Sequence, residues 1–354
     1  MFFVICMVVM LQALLGACNP GDVPSLFVFG DSLVDAGNNN YLLTTVKPLF
    51  PNGIDFGYPY GIPSGRFTNG RSVIDLIGQA IGLNQLIPAF LNPRAKGDAI
   101  LKGVNYASAA SGIMNSTEWF LGKQMPLDVQ ISCFEKTKHD IISTVGEAEA
   151  TKLFRTAIFL FVAGSNDVMF GPVDSSSWEP FLDLVVSRFG TQITRLHALG
   201  ARKIVVANSP GIGCIPFQKA LHHSGRGCVI GLNRKAEEFN VRVRALLTKL
   251  TMVHDDSTFV YANVYDMLDD ILKNYLSYGF EVADVGCCHV VGLNLERLVP
   301  CGTTSKVCRD RSKYVFWDAF HLTERAYGMV ARQIVDGGLN YMSPVNLRQL
   351  LNFL

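Results

Sequence analysis

The sequence predicts an α/β fold in which helices cover both faces of a mostly parallel sheet, a three-layer α/β/α sandwich. Short apolar runs rich in β-branched or aromatic residues show no alternation with polar residues, which is typical of strands buried on both faces. The longer segments between them place apolar residues at the i, i+3 and i+4 spacing of amphipathic helices. This alternation along the chain indicates right-handed crossovers between parallel strands.

The strands and helices are assigned in chain order. The apolar runs predict strands at residues 26–29, 104–107, 158–162, 204–207 and 259–262. Apolar stripes predict helices over residues 181–196 and 232–250, and a further helix that begins near Thr323. Two long loops are expected, one over the glycine-, proline- and aromatic-rich residues 52–70 and one over the cysteine-containing residues 285–311.

Composition and charge exclude several classes of protein. Hydrophobic residues make up 49% of the 354 residues and charged residues 17%, which excludes a disordered chain. The 31 Lys and Arg against 30 Asp and Glu give a net charge of +1, without a run of basic residues. A nucleic-acid-binding protein usually carries a basic excess or stripe, so no nucleic-acid partner is expected.

The first residues predict export from the cell. Residues 2–17 are almost wholly apolar and end in small residues, so residues 1–18 are interpreted as a secretory signal peptide. The alternative, a membrane anchor, needs about 20 apolar residues to span a bilayer. No composition break divides the rest, so residues 19–354 are expected to form one domain. After signal cleavage no stable membrane insertion is expected.

Cysteines are consistent with an oxidising compartment. Nine occur, of which Cys6 and Cys18 lie within the predicted signal peptide. Cys214 and Cys228 are close enough in sequence to close one disulfide loop. Four more, between 287 and 308, allow three connectivities that the sequence leaves open, and Cys133 is left over. A zinc site is the alternative for those four and His289, but adjacent cysteines do not match the usual zinc-knuckle spacing.

One glycosylation sequon is present. It consists of Asn115, Ser116 and Thr117. In an exported protein Asn115 is a candidate N-glycosylation site, and the alternative is an unmodified turn.

Two segments could supply a nucleophile and a base. Ser32 directly follows the first predicted strand, and ligands of open parallel sheets bind beyond the carboxyl ends of the strands. Asp318 lies three residues before His321, so after one turn its carboxylate could reach the imidazole Nδ1 and leave Nε2 free. Taken singly, the first segment could be a turn with a helix cap, and the second a cap with an exposed histidine.

Two more strand ends could supply hydrogen-bond donors to an oxyanion. Asn166 follows the strand at 158–162, and its side-chain amide could donate to a developing negative charge. The strand at 104–107 runs into small residues that end at Gly112, where a backbone N–H could be another donor. Each could also be an ordinary turn, but the four segments together supply a nucleophile, an oriented base and oxyanion donors. The sequence contains no G-x-S-x-G elbow, P-loop or H-E-x-x-H motif.

These segments resemble the plant branch of the GDSL esterases/lipases, within the SGNH hydrolase superfamily. Residues 29–39, 103–112, 164–167 and 318–321 resemble the first, second, third and fifth blocks of that family. Further similarity to the branch lies at residues 65–70, at the Cys287-Cys288 pair and at residues 314–317. The likeness extends over essentially the whole chain after the predicted signal.

The resemblance implies the SGNH hydrolase fold with a flavodoxin-like sheet, secretion to the apoplast or cell wall, and hydrolysis of carboxylic esters without a metal or other cofactor. Ser32 matches the family's nucleophile, and Asp318 and His321 match the rest of the triad. The oxyanion hole would comprise the Ser32 N–H, Gly112 and Asn166.

The chain departs from the family pattern at three places. Leu322 stands where proline often follows the base, Ala109 and Ala110 stand where glycines are usual, and His289 follows the paired cysteines in place of glycine. The two alanines lie in the segment that ends at Gly112, so they affect which backbone N–H of this segment is chosen as the oxyanion donor.

Three functions fit these residues: a serine ester hydrolase acting on lipid, acyl or polymeric esters, an acyltransferase with the same triad, and an inactive secreted binding protein on this fold. Loss of Ser32, Asn166 or His321 would favour the third, and all three are present. The first function is therefore expected, with a small-molecule or polymeric ester as the partner. The oligomeric state and the natural ester stay open.

Overall fold

The computed structural model describes residues 24–57, 64–117, 121–290 and 299–353. The predicted signal peptide at 1–18 lies outside the described residues. The strands are β1 (Leu26–Gly30), β2 (Ile158–Val162), β3 (Lys203–Ala207), β4 (Thr258–Ala262), β5 (Val282–Gly286), β6 (Cys288–Val290), β7 (Ser305–Val307), β8 (Tyr314–Phe316) and β9 (Met342–Ser343). The α-helices are α1 (Val73–Ala80), α2 (Leu127–Val145), α3 (Glu147–Thr156), α4 (Ser165–Phe170), α5 (Ser175–Ala198), α6 (Pro216–Leu221), α7 (Ile230–Val253), α8 (Val264–Lys273), α9 (Glu324–Asp336) and α10 (Leu347–Leu351).

A five-stranded sheet forms the centre of the molecule. Its order is β1-β2-β3-β4-β9, and only β9 is antiparallel to its neighbour. Strands β1, β2 and β3 are buried at every position, as the lack of polar alternation predicts. Four of the five predicted strands are therefore confirmed, and the predicted helices over residues 181–196 and 232–250 lie within α5 and α7.

The fifth predicted strand, at residues 104–107, is wrong as a regular strand. The segment lies beside β1 in an extended course, with the Val28 N–H donating to the Val104 carbonyl and the Tyr106 N–H donating to the Val28 carbonyl. Its other edge is occupied irregularly, because the Asn38 side-chain amide donates to the carbonyls of Asn105 and Ala107. On the same edge the Phe90 N–H donates to the Asn105 carbonyl and the Asn105 N–H donates to the Pro88 carbonyl, so Asn105 makes isolated bridges to Val28 and Ala89 in place of a regular ladder. The spatial order of the parallel segments is nevertheless the flavodoxin-like one.

Helices lie on both faces of the sheet, which confirms the three-layer architecture. Along β1, Phe27 and Phe29 belong to one buried apolar cluster, whereas Leu26 and Val28 belong to another. The first cluster includes side chains of α2, α3, α5 and α7. The second includes those of α1, α8, α9 and α10. Alternate residues of one strand thus pack against opposite helical layers.

The predicted loop at 285–311 contains regular structure in its described part. Strands β6 and β7 pair antiparallel within it, and β5 pairs with β8. The disulfides Cys287–Cys308 and Cys288–Cys301 close this region, and Cys214–Cys228 closes another loop as expected. Because all four cysteines of the cluster are in disulfides, the zinc alternative is excluded there. Cys133 is free and buried.

The described part of the chain has α-helices of between 5 and 24 residues. None of them is long and apolar enough to cross a bilayer.

Candidate active site

Ser32 lies at the carboxyl end of the sheet, beside the point where the strand order reverses between β1 and β2. β1 ends at Gly30, where an added Cβ would lie 2.1 Å from the Val162 carbonyl oxygen of β2. The absence of a side chain at Gly30 therefore lets the chain leave the sheet tightly against β2. Open α/β sheets bind their ligands at this kind of position. Ser32 is only half buried, so its hydroxyl is accessible.

The segment after β8 makes the single turn that the spacing of Asp318 and His321 predicts. The Trp317 N–H donates to the His321 carbonyl at 2.7 Å, which closes the turn. Inside it, Oδ1 of Asp318 accepts hydrogen bonds from the N–H groups of Phe320 at 2.9 Å and His321 at 2.8 Å. Thr323 then caps α9, which begins at Glu324, and confirms the predicted helix start.

Ser32, His321 and Asp318 form one hydrogen-bonded chain. His321 Nε2 lies 2.9 Å from Ser32 Oγ, and His321 Nδ1 lies 2.9 Å from Asp318 Oδ1. Both Asp318 and His321 are buried. Burial alone would raise the pKa of Asp318, but the charge and hydrogen bonds of His321 outweigh it and hold that pKa below the usual value. An ionised carboxylate at this position favours the tautomer with the proton on Nδ1, in which Nε2 can accept a proton from Ser32.

Asn166 is hydrogen-bonded to Ser111, the residue that precedes Gly112. Asn166 lies in the first turn of α4, directly after β2, and its Nδ2 donates to the Ser111 carbonyl at 2.8 Å. One amide hydrogen is thus engaged while the side chain stays half exposed. Among the described residues, the N–H groups of Ser32 and Gly112 have no hydrogen-bond acceptor. Two backbone N–H groups and the second hydrogen of the Asn166 amide can therefore bind a ligand oxygen.

A buried glutamine connects the Ser32 segment to the Gly112 segment. Gln130 Oε1 accepts the Gly30 N–H at 2.8 Å, and its Nε2 donates to the Gly30 carbonyl at 2.8 Å. The same Nε2 lies within hydrogen-bond distance of Ser111 Oγ and of the Met125 carbonyl. Sequence reasoning missed Gln130, because it lies in α2, 100 residues from Gly30 in the chain, and no local pattern indicates the contact.

Two further buried carboxyls lie in the loop after β1, and sequence reasoning missed both. Burial raises the pKa of Asp31 to about 7 and that of Asp35 to about 6. Asp35 accepts N–H bonds from Gly37 at 2.7 Å and Asn38 at 2.8 Å, and so shapes the loop. Asp31 Oδ1 accepts the Leu33 N–H, whereas its Oδ2 is buried without a partner among the described residues.

The candidate glycosylation site lies on the loop that carries Gly112. Asn115 is exposed there, as a glycosylated residue would need to be. The sequon hydroxyl of Thr117 donates to the Asp167 carboxylate at 2.7 Å. Exposure is compatible with modification, which stays a prediction.

Most of the chain matches a known family of enzymes. A family described as GDSL-like lipase/acylhydrolase matches residues 26–334. The chain belongs to this GDSL family. The resemblance drawn from residues 29–39, 103–112, 164–167 and 318–321 is confirmed.

Individual relatives support the same conclusion. A GDSL esterase/lipase of Arabidopsis thaliana is 47% identical over 98% of this chain and 97% of its own length. A second GDSL esterase/lipase of that plant is 42% identical over 92% of this chain and 90% of its own. A solved structure of a catalytic mutant of an acetylxylan esterase from Geobacillus stearothermophilus aligns over 94% of this chain and 96% of that chain, with a TM-score of 0.40 and 12% identity. That last likeness is too weak to carry an inference. Family membership establishes this GDSL chain as a carboxylic ester hydrolase.

Proposed function

We propose that the chain is a secreted serine esterase that forms an acyl-enzyme on Ser32. The observation that carries this proposal is the 2.9 Å contact between Ser32 Oγ and His321 Nε2, with Asp318 on the other ring nitrogen. A serine hydroxyl is a weak nucleophile at neutral pH and needs a base within hydrogen-bond reach. This arrangement supplies such a base, held in the required tautomer.

In the first half of the reaction, Ser32 Oγ attacks the carbonyl carbon of the ester while its proton moves to His321 Nε2. The resulting oxyanion accepts hydrogen bonds from the Ser32 N–H, the Gly112 N–H and the Asn166 amide. The tetrahedral intermediate collapses when the bond to the alcohol oxygen breaks and His321 returns the proton to that oxygen. The alcohol leaves, and the acyl group stays on Ser32.

In the second half, water takes the place of the alcohol. His321 removes a proton from the water, whose oxygen attacks the acyl carbon and forms a second oxyanion in the same hole. Release of the carboxylic acid returns the proton to Ser32. Asp318 stays ionised throughout, because its role is to orient and stabilise the imidazolium.

Secretion is part of the proposal. Three disulfides support it, since such bonds persist in oxidising compartments. We expect cleavage of a signal peptide at residues 1–18 and one mature domain over residues 19–354, in the apoplast or cell wall if the plant resemblance extends to location. N-glycosylation of Asn115 would follow from the same route.

Partitioning of the acyl group tests the acyl-enzyme directly. Several esters that share one acyl group but differ in their alcohol are each hydrolysed in the presence of a fixed concentration of an added acceptor alcohol. A common acyl-enzyme predicts the same ratio of free acid to transferred ester from every substrate. A ratio that changes with the leaving alcohol would contradict the acyl-enzyme, and a product mixture dominated by transferred ester would identify an acyltransferase instead. A series of p-nitrophenyl esters from acetyl to palmitoyl supplies the acyl preference.

A further inference from the structure

The side chain of Asp167 accepts hydrogen bonds from the loop that carries Gly112. Its carboxylate is fully buried, and the three donors it accepts all come from that loop. Oδ2 lies 2.8 Å from the Ile113 N–H, Oδ1 lies 3.0 Å from the Met114 N–H, and Oδ1 accepts the Thr117 hydroxyl at 2.7 Å. The two N–H groups follow Gly112 directly in the chain, so their direction fixes the course of the backbone at Gly112.

The contact is close enough to dictate the residue at position 112. A Cβ added to Gly112 would lie 2.6 Å from each carboxylate oxygen of Asp167 and 2.5 Å from the Thr117 hydroxyl oxygen. These distances are far shorter than a van der Waals contact, so a side chain here would push the loop away from Asp167. Glycine therefore lets the backbone at position 112 rest directly on the carboxylate.

Asp167 is also placed to act on the other donor. It follows Asn166 in the first turn of α4, and the Asn166 amide donates to the Ser111 carbonyl on the same loop. The peptide units on both sides of Gly112 are thus tied to one turn of helix, by Asn166 on one side and by Asp167 on the other. A shift of Asp167 would move the Gly112 N–H and the Asn166 amide relative to each other.

We propose that Asp167 is a positioning residue, which holds the Gly112 N–H and the Asn166 amide in the geometry that binds the oxyanion. This inference rests on the proposed function, because it concerns the same oxyanion hole. Asp167 itself does not touch the reacting atoms. Its effect should therefore appear in the stabilisation of the transition state and only weakly in substrate binding, since small misplacements of preorganised donors cost large factors in rate.

The test compares Asp167→Asn with the wild-type chain by ester kinetics and by labelling with a fluorophosphonate, whose phosphoryl oxygen occupies the oxyanion position. Asparagine keeps the shape of the aspartate side chain but replaces one carboxylate oxygen with an NH2 group. That donor would face the N–H groups of the loop, which need an acceptor. We expect kcat and the labelling rate to fall about 10- to 100-fold, with KM within about threefold of wild type. The final labelled fraction, which counts folded sites, should stay that of the wild type.

A second pair of variants keeps the proposal testable should Asp167→Asn fail to fold. Thr117→Val removes one donor to the carboxylate and should lower kcat about three- to tenfold, within the range of one lost hydrogen bond. Thr117→Ser restores the hydroxyl and should restore kcat to within about twofold. Asn115→Gln is the control for loss of the sequon. Thr137→Val is the control for loss of a threonine hydroxyl, because the Thr137 hydroxyl donates to the Cys133 carbonyl within α2 and not to Asp167.

The outcomes separate the inference from the proposed function. In Asp167→Asn, the final labelled fraction could fall by the same factor as kcat, so that turnover per labelled site equals that of the wild type. This result would show that Asp167 is needed only for folding, and it would overturn the inference. An unchanged kcat in both Asp167→Asn and Thr117→Val would do the same. A wild-type chain that hydrolyses esters without labelling at Ser32 would instead contradict the proposed function, and the positioning role would fall with it.

Discussion

The peptide N–H of Cys301 lies 3.4 Å from Oδ2 of Asp318, the carboxylate oxygen that lies 3.1 Å from His321 Nδ1. The disulfide-closed region thus reaches the buried acid of the proposed triad. Neighbouring contacts add to this support, because the N–H groups of Cys287 and Cys288 donate to the carbonyls of Phe316 and Trp317. We conclude that the two disulfides hold the turn that presents Asp318.

Removing one of these disulfides should therefore impair the site as well as the fold. For the double variant Cys288→Ser/Cys301→Ser we expect a loss of roughly 2–5 kcal/mol in unfolding free energy, the usual range for a native disulfide. We also expect a lower kcat at temperatures where the variant is still folded, because Asp318 loses its anchored neighbour. Urea unfolding and ester kinetics on the same samples measure both effects.

Cys133→Ala is the matched control, since it removes a buried sulfur from α2 without breaking a disulfide. It should keep the wild-type kcat. A double variant that loses stability but keeps full kcat would show that the disulfides do not support Asp318. Peptide mapping of the non-reduced protein should recover the pairs Cys287–Cys308 and Cys288–Cys301.

Asn166 should act mainly on the transition state. The oxyanion carries more charge than the ester carbonyl, so the amide bonds to it more strongly. Asn166→Ala should lower kcat by about 10²–10³ with little change in KM. Asn352→Ala, which removes an exposed amide from the end of the chain, serves as the control. A large rise in KM at unchanged kcat would identify Asn166 as a substrate-binding residue instead.

Asp31 should make the folded state less stable as the pH rises. Burial raises its pKa from 3.8 to about 7, so between these values the folded state binds a proton that the unfolded state has released. Stability from this group is complete below about pH 4 and is lost as the pH rises through about 7. Asp31→Asn removes the ionisation and should flatten this decline.

Urea unfolding of both proteins from pH 4 to pH 8 measures the effect. The unfolding free energy of Asp31→Asn relative to wild type should rise by a few kcal/mol, on the order expected from a shift of this size, as the pH increases. The exposed Asp98→Asn is the control and should follow the wild-type curve. If the unfolding free energies of wild type and Asp31→Asn changed with pH in parallel, the pKa of Asp31 would not be raised in the folded state.

Much of the fold could be predicted from the sequence, because a strand buried on both faces is a short uninterrupted apolar run. The strand predicted at residues 204–207 begins one residue earlier in the structure, at Lys203. This lysine is compatible with a buried strand because its amine reaches the Phe353 carbonyl at 2.6 Å. Strand β9 was not predicted, since two residues carry no periodicity.

The candidate site could be predicted only where it depends on local spacing. Asp318 and His321 are three residues apart, so one turn brings them together, and Ser32 and Asn166 directly follow strands. Gln130 and Asp167 contact segments about 50 to 100 residues away in the chain, and no local pattern indicates such contacts. The pairing of four clustered cysteines was open for the same reason.

The residue that a fluorophosphonate labels covalently tests the proposed role of Ser32 and His321 directly. A hydroxyl activated by His321 should react, so peptide mapping should find the label on Ser32 and on no other serine. Ser32→Ala should abolish labelling and hydrolysis together, and His321→Ala should remove nearly all of both. A label on Ser108, Ser111 or Ser165, or a Ser32→Ala variant with normal esterase turnover, would contradict the account.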